Sequence, residues 1–313
     1  MKLLWLDLNS SYAHSSLALP ALHAQIADDT TIEWCIVSAT INENTGMVVS
    51  RIHKHRPDII AATNWLFNHE QLLHIISRAK ALLPHCCIVL GGPEFLGNNE
   101  AFLYKNKFVS GVFRGEGEEV FPQWLKVWNH SKETWKAITG LCYLDENGRY
   151  QDNGIARVMN FSQLVSPEKS CFFNWSKPFV QLETTRGCFN TCAFCVSGGE
   201  KPVRTIPLEA IRERLNDIHQ HGIKNVRVLD RTFNYNNKRA KELLDLFRQY
   251  PDICFHLEIH PALLSEELKQ ELSVLPKGLL HLEAGIQSLK ESVLQQSRRI
   301  GKLSDALEGL KYL

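Results

Sequence analysis

The sequence lacks any run of apolar residues long enough to span a bilayer. It also lacks a charge excess: 35 Lys and Arg stand against 34 Asp and Glu, a formal net of +1 with His neutral. That balance argues against a basic nucleic-acid surface or an acidic tail. The N-terminal stretch Met1–Asp7 meets an acid too soon for a signal-peptide apolar region. A soluble cytoplasmic protein is expected, with no membrane or nucleic-acid partner. No short-period repeat and no low-complexity tract occurs. A disulfide framework is missing too: the nine cysteines are odd in number, and six of them are scattered. Cys35, Cys86, Cys87 and Cys254 lie in apolar runs, where a thiol acts as a small hydrophobe.

What is present is length for about two domains and enough apolar residues, 44%, to bury a core. The first part alternates strands and helices. Strands are expected at Lys2–Leu8, Thr31–Val37, Asp58–Thr63, Cys86–Leu90 and Val109–Phe113. Helices are expected from Ser15 or Ser16 to about Ala27, and over Val48–His55, His69–Leu83 and up to Trp128. Short apolar strands alternating with amphipathic helices predict a doubly wound parallel sheet over 1–128. Such sheets bind ligands beyond the carboxyl ends of their strands, here Asn9–His14, Asn64–Trp65, Gly91–Glu94 and Gly115–Glu118. Residues 129–177 read as a linker holding a hairpin, Ile138–Leu144 and Arg149–Gln151 around Asn147-Gly148. From 178 to 313 alternation resumes. Four strands, Phe179–Glu183, Asn225–Leu229, Cys254–Ile259 and Gly278–Ala284, predict a partial β/α barrel.

Cys188, Cys192 and Cys195 stand apart from the other six. Cys-x3-Cys-x2-Cys in one loop gives three thiolates able to converge on three irons of a 4Fe–4S cluster. The fourth iron is then open to the amine and carboxylate of S-adenosylmethionine, and electron transfer splits a carbon–sulfur bond. A structural zinc site would want a fourth ligand, and no Cys or His lies nearby. Unrelated thiols would not show this spacing, with Phe194 before the last of them. The loop follows a strand and precedes a helix, the position where barrels keep their chemistry.

This loop resembles that of the radical S-adenosylmethionine superfamily, and the whole chain resembles its branch with an N-terminal cobalamin-binding domain. Asn9–Leu19, Asp230-Arg231-Thr232-Phe233-Asn234 and Phe255-His256-Leu257-Glu258-Ile259 are similar to a bacterial family within it. The resemblance implies that Gly187 lets the loop close and that Phe194 packs near the adenine. It implies Asp230 near the methionine amine, and Glu258, Glu283 and Gln287 near ribose or substrate. For each acid a solvated strand end or an ion pair, for example with Arg231, is the alternative.

Two matches mislead. Gly198-Gly199-Glu200 imitates the superfamily's amine-gripping motif but precedes the first barrel helix, so it reads as loop. Asp217-Ile218-His219-Gln220-His221-Gly222 imitates a cobalt-ligating motif but lies in the second domain at a helix end, where Gly222 is a stop signal. The first domain holds no such motif, which leaves His14 as the histidine to test there. Its glycine turns, Gly91-Gly92-Pro93-Glu94 and Gly115-Glu116-Gly117, suit close approach of backbone to a ligand. With Asn64, and on the resemblance, they are the expected cobalamin contacts. Tight turns alone are the alternative, and so is a scaffold that no longer binds corrin.

The resemblance implies a cobalamin-associated radical enzyme, with methyl transfer to an unactivated carbon as the leading reaction and ferredoxin or flavodoxin as electron donor. Rearrangement, ring formation or methylthiolation is the alternative chemistry. A corrin- or cluster-binding sensor without turnover is the alternative class. Superfamily barrels resemble a six-strand half wheel, and only four strands follow Phe179. The chain is therefore expected to be a fragment of a longer protein.

Overall fold

Lys2–Asn9 reads KLLWLDLN, and it forms a strand, β1, buried on both faces. Leu4 and Leu6 enter one apolar layer, Leu3 and Trp5 the other. Such two-sided burial belongs to a central parallel strand. The computed structural model describes residues 1–14, 16–197 and 200–313, and the chain divides into two compact units, Met1–Phe173 and Asn174–Leu313. No helix among the described residues is long and apolar enough to cross a membrane.

In the first unit β1 is followed by α1 (Ala18–Ala24), β2 (Glu33–Thr40), α2 (Thr45–His55), β3 (Ile59–Thr63), α3 (His69–Leu82) and β4 (Cys87–Gly91). Then come α4 (Glu100–Lys105), β5 (Gly111–Phe113), α5 (Val120–Leu125), β6 (Leu141–Leu144) and β7 (Tyr150–Asp152). The strand order is β2-β1-β3-β4-β5-β6-β7. Pairing is parallel from β2 through β5, and β6 and β7 are added antiparallel. One apolar layer packs Val48 and Ile52 of α2 and Leu72, Ile75 and Ile76 of α3 on the sheet; the other packs Leu19, Phe121 and Trp124. The chain reverses its direction of sheet growth between β1 and β3, and crevices for ligands open at that point.

Two expectations are corrected here. The segment 129–177 does not read as a plain linker: its hairpin is the end of the first sheet, and the units divide after Phe173. The helix expected from Ser15 or Ser16 begins only at Ala18, with the Ala18 N–H on Ser16 Oγ at 3.1 Å. Ser15 itself lies outside the described residues.

The second unit holds β8 (Val180–Leu182), β9 (Thr185–Arg186), β10 (Arg204–Thr205), α6 (Leu208–Gln220), β11 (Asn225–Val228), α7 (Asn237–Phe247), β12 (Cys254–Ile259), α8 (Glu266–Ser273), β13 (Leu280–Ala284), α9 (Glu291–Gln296) and α10 (Leu303–Tyr312). Its parallel sheet runs β13-β12-β11-β8. Asn236 and Ser265 cap α7 and α8 through their side-chain oxygens. On β12 and β11 every second residue, Phe255, Leu257, Ile259, Val226 and Val228, is buried. Phe247 of α7 stacks on Phe255 at 4.0 Å, so that is the helix-covered face. At the end of α6, Gly222 has φ +71°, and its N–H bonds to His219 O while the His221 ring meets Asp217 O. These histidines serve a helix terminus.

Candidate functional site

The cysteine loop leaves β8 under tight local control. The amides of Thr184 and Thr185 donate to Asp230 Oδ1 at 2.8 and 2.9 Å, and the Thr184 hydroxyl meets Asp230 Oδ2. Gly187 follows at φ +96°, where a Cβ would lie 2.5 Å from Glu200 O and 2.9 Å from Pro202 O. No side chain fits that position without moving backbone. The Cys188 amide donates to Glu200 O at 3.0 Å, and β9 pairs antiparallel with β10, so the two ends of the loop are stitched together. That ribbon was not visible in the sequence, because each of its strands is two residues long. From the far side, Ala193 N–H reaches Ser297 O at 2.9 Å, and Asn190 Oδ1 accepts from Ile300 N–H at 3.1 Å.

Cys188 and Cys192 are buried and Cys195 is exposed. Burial pushes the Cys188 thiol up, the Asn190 amide pulls it down, and Cys195 and Cys192 are near enough to raise it further. Among the described residues no three His, Cys, Asp or Glu side chains are gathered tightly around one ion. The three thiols are thus neighbours in one pinned loop rather than a closed cage. Three soft donors without a fourth fit an iron–sulfur cluster by ligand chemistry. Phe194 is 59% exposed beside them. Gly198 and Gly199 lie outside the described residues.

Asp230, expected near a methionine amine, lies within the protein at the base of the loop. It is 1% exposed and its carboxylate is taken up by three donors from Thr184 and Thr185. Burial raises its pKa even against those donors. It braces the loop from below.

The other predicted acids stand on the uncovered face of the sheet. Glu258 and Glu283 are register partners on β12 and β13, and so are His256 and His281. Arg227 pairs with His256 and with Gln181, so a polar row Gln181–Arg227–His256–His281 crosses all four strands. His256 Nε2 lies 3.0 Å from Glu283 Oε2. Partial burial, then Glu283, holds Glu258 above the ordinary carboxylate range, against Arg231 and Arg227. The period-2 alternation of Asn225–Val228, Cys254–Ile259 and Leu280–Ala284 was the signal that could have found Arg227, His256 and His281 as well. Gln287 follows β13 with φ +71°, a left-handed conformation that non-glycine residues adopt at a cost.

In the first unit the strand ends divide into clamped and open positions. Asn64 is fully buried, with its N–H on Gly91 O at 2.7 Å and its side chain on His69 Nδ1 at 3.1 Å. Gly92 has φ +112°, and a Cβ there would sit 2.5 Å from Asn64 O. Gly115, φ +100°, would drive a Cβ to 2.2 Å from Ala156 O. Glu116 accepts from Val158 N–H at 2.7 Å, and Gly117 faces Leu22. Gly92, Gly115 and Glu116 are therefore explained by packing within the unit, the tight-turn alternative. Gly91 is partly open, and Pro93 and Glu94 begin a short 3-10 turn with Glu94 exposed. The open positions flank the point between β1 and β3: Tyr12 is 87% and Leu66 82% exposed, and Trp65 stacks on Phe67, which meets His14 edge-on. His14 Nδ1 lies 2.8 Å from Asn9 Oδ1. Leu66 and Phe67 were missed because a lone apolar pair after a strand carries no periodic signal. An exposed apolar rim thus stands at the switch point beside the glycine turns.

Residues 182–313 match the radical SAM superfamily, and residues 8–125 match the B12 binding domain. An uncharacterized methyltransferase of Pyrococcus horikoshii is 29% identical over 201 residues, covering 61% of this chain and 43% of its own length. Hopanoid C-3 methylase of Methylococcus capsulatus is 24% identical over 82% of this chain and 51% of its own. The chain therefore spans about half the length of these curated relatives. Among solved structures, the cobalamin-dependent S-adenosylmethionine radical enzyme OxsB superposes with a TM-score of 0.78 at 16% identity, over 99% of this chain and 47% of OxsB. TsrM from Kitasatospora setae, with cobalamin and a 4Fe–4S cluster bound, gives 0.76 at 15%, over 99% and 66%. At these identities the likeness is one of fold. Two domain matches in this order define the class: the chain belongs to the radical SAM superfamily, in the branch with an N-terminal cobalamin-binding domain.

Proposed function

We propose that this chain is the cofactor-binding part of a cobalamin-associated radical S-adenosylmethionine enzyme, with methyl transfer to an unactivated carbon as its reaction. The observation that carries the reading is the loop of Cys188, Cys192 and Cys195, pinned after the first strand of a four-strand parallel sheet. In this reading the three cysteines hold a 4Fe–4S cluster, Gly187 permits the turn into them, and Asp230 keeps that turn rigid. Phe194 offers an exposed ring to the adenine. Glu258, Glu283 and Gln287 line the side that receives ribose or substrate. When bound, the cluster supplies the electron that cleaves S-adenosylmethionine, and cobalamin supplies a carrier for the methyl group. The rim of Tyr12, Trp65, Leu66 and Phe67, with Gly91, Pro93 and Glu94, would cover the corrin and exclude water from it.

Nine free thiols suit a reducing compartment, so the cytoplasm is proposed as the setting and ferredoxin or flavodoxin as the electron donor. The methyltransferase relatives favour methyl transfer; 22% identity to the anaerobic magnesium-protoporphyrin IX monomethyl ester cyclase of Cereibacter sphaeroides keeps ring formation as the second reading. The test is anaerobic reconstitution with iron, sulfide and hydroxocobalamin, followed by assay for 5′-deoxyadenosine and bound corrin. About four irons per chain are expected, with loss of iron in Cys192→Ala. Full iron loading in that variant would refute the assignment. A reconstituted protein that binds both cofactors but never yields 5′-deoxyadenosine would favour the sensor.

A further inference from the structure

His260 closes β12 and is fixed by its backbone: its N–H donates to Asn234 Oδ1 at 2.8 Å, and its carbonyl accepts from Asn234 Nδ2 at 3.0 Å. The ring is 3% exposed, and neither ring nitrogen makes a well-formed hydrogen bond; its polar neighbours are the backbone carbonyls of Ile300 and of His260 itself. Buried polar atoms are rarely left so. The ring lines a half-open pocket together with Gly285, Arg299, Gly301 and Lys302. Gly301 has φ +105°, and a Cβ there would come 3.3 Å from His260 Cε1, so the glycine keeps the ring edge uncovered.

The charge around this pocket is one-sided. Arg299 donates to Gly285 O at 2.9 Å, and among the described residues neither Arg299 nor Lys302 has an acidic partner. The adjacent carboxylate, Glu291, accepts from Leu303 N–H at 3.3 Å. Burial and the Arg299 guanidinium hold His260 down to about 4, against the Ile300 and His260 carbonyls that favour its charged form, so it is a neutral imidazole with one N–H to give. The acceptors this arrangement does hold, the carbonyls of Ile300, His260 and Gly285, are neutral, and among the described residues none on the pocket wall carries negative charge. The free space takes about one water-sized group, which suits the end of a ligand rather than a whole molecule.

We propose that the His260–Arg299–Lys302 pocket is an oxyanion-binding site that takes a carboxylate or phosphate group of a small ligand. The segment that forms its wall also holds the cysteine loop, through Ser297 O and Ile300 N–H. An anion seated there neutralises the wall and fixes that segment. The proposal does not depend on the cluster, so it is tested on the full chain without cofactors.

The experiment uses protein labelled with 13C-histidine and follows the His260 ring signal, assigned by its loss in His260→Gln. At neutral pH the protein is titrated with sodium acetate, with inorganic phosphate, and with sodium chloride at matched ionic strength. A saturable shift of the His260 signal with acetate or phosphate and not with chloride is expected, and which of the two acts separates carboxylate from phosphate recognition. Loss of one charged donor should weaken that anion by about tenfold in Arg299→Gln. Lys302→Ala removes an exposed side chain and should weaken it severalfold; with it, the rise in melting temperature that the anion gives the parent protein should shrink. No shift with either anion would overturn the proposal and leave the ring to ordered water. An equal response to chloride, or undiminished binding in Arg299→Gln and Lys302→Ala, would overturn it too.

Discussion

Asp230 separates a brace from a ligand, and the distinction can be measured. Asp230→Ala removes the acceptor for two buried amides and one hydroxyl. An orphaned buried donor costs about 1–3 kcal/mol, and with partial repair by water the three together should cost about 3–5 kcal/mol. Asp230→Asn behaves otherwise. Its Oδ1 still accepts from Thr184 and Thr185, and its amide donates to the Thr184 hydroxyl, which can turn to accept. A buried charge also disappears. The expected loss is below about 1 kcal/mol. The sign of the pH effect follows from the raised pKa. A carboxyl that holds its proton more tightly when folded stabilises the fold at low pH, and that contribution fades as pH rises from the unfolded value, 3.8, through the folded one. Asp230→Asn should flatten that decline. The assays are urea denaturation of the cofactor-free protein across pH, and equilibrium dialysis with S-adenosylmethionine after reconstitution. If Asp230→Asn proves as unstable as Asp230→Ala, or if it stays folded and loses S-adenosylmethionine binding more than about tenfold, the brace argument fails.

Gly187→Ala combines left-handed strain with a Cβ inside van der Waals contact of two carbonyls, so a loss of about 3–5 kcal/mol and failure to retain iron are expected from denaturation and iron analysis. Leu66→Ser removes an exposed apolar side chain; cobalamin affinity should fall about tenfold by dialysis while the melting temperature holds, and unchanged affinity would remove the rim from the corrin site. Phe247→Ala empties the stack on Phe255 and should cost about 3–5 kcal/mol in the second unit, read by urea denaturation.

The fold was legible where pattern and period coincide. Lys2–Asn9 is apolar on both faces because it is central in a parallel sheet, and the sequence run says so. Cys254–Ile259 alternates because one face meets α7 and the other is open, and its boundaries were read to the residue. The β9–β10 ribbon and the short α4 were not legible, being too short for any periodic signal. The hairpin at Leu141–Asp152 was seen, but nothing local says that its partner is β5, thirty residues earlier in the sheet's logic and antiparallel to it. At the site, the grouping of the three cysteines in one short loop was legible from spacing alone. The hydrogen bonds of Asp230 were not, since a strand-end acid looks the same whether its carboxylate turns outward or into the protein; only the structure shows it on the amides of Thr184 and Thr185. The glycine turns of the first unit are ambiguous in sequence for a related reason. A glycine that makes room for a ligand and one that makes room for Ala156 O are identical in sequence.

The hydrogen bonds from Ala193 to Ser297 and from Ile300 to Asn190 span more than a hundred residues of chain. During synthesis the three thiols emerge from the ribosome long before the segment that tethers them. Without residues 297–300 the cysteine loop keeps only its local ties, those of Asp230 and the β9–β10 ribbon, so the loop is complete only once the chain beyond the fourth parallel strand has docked on it.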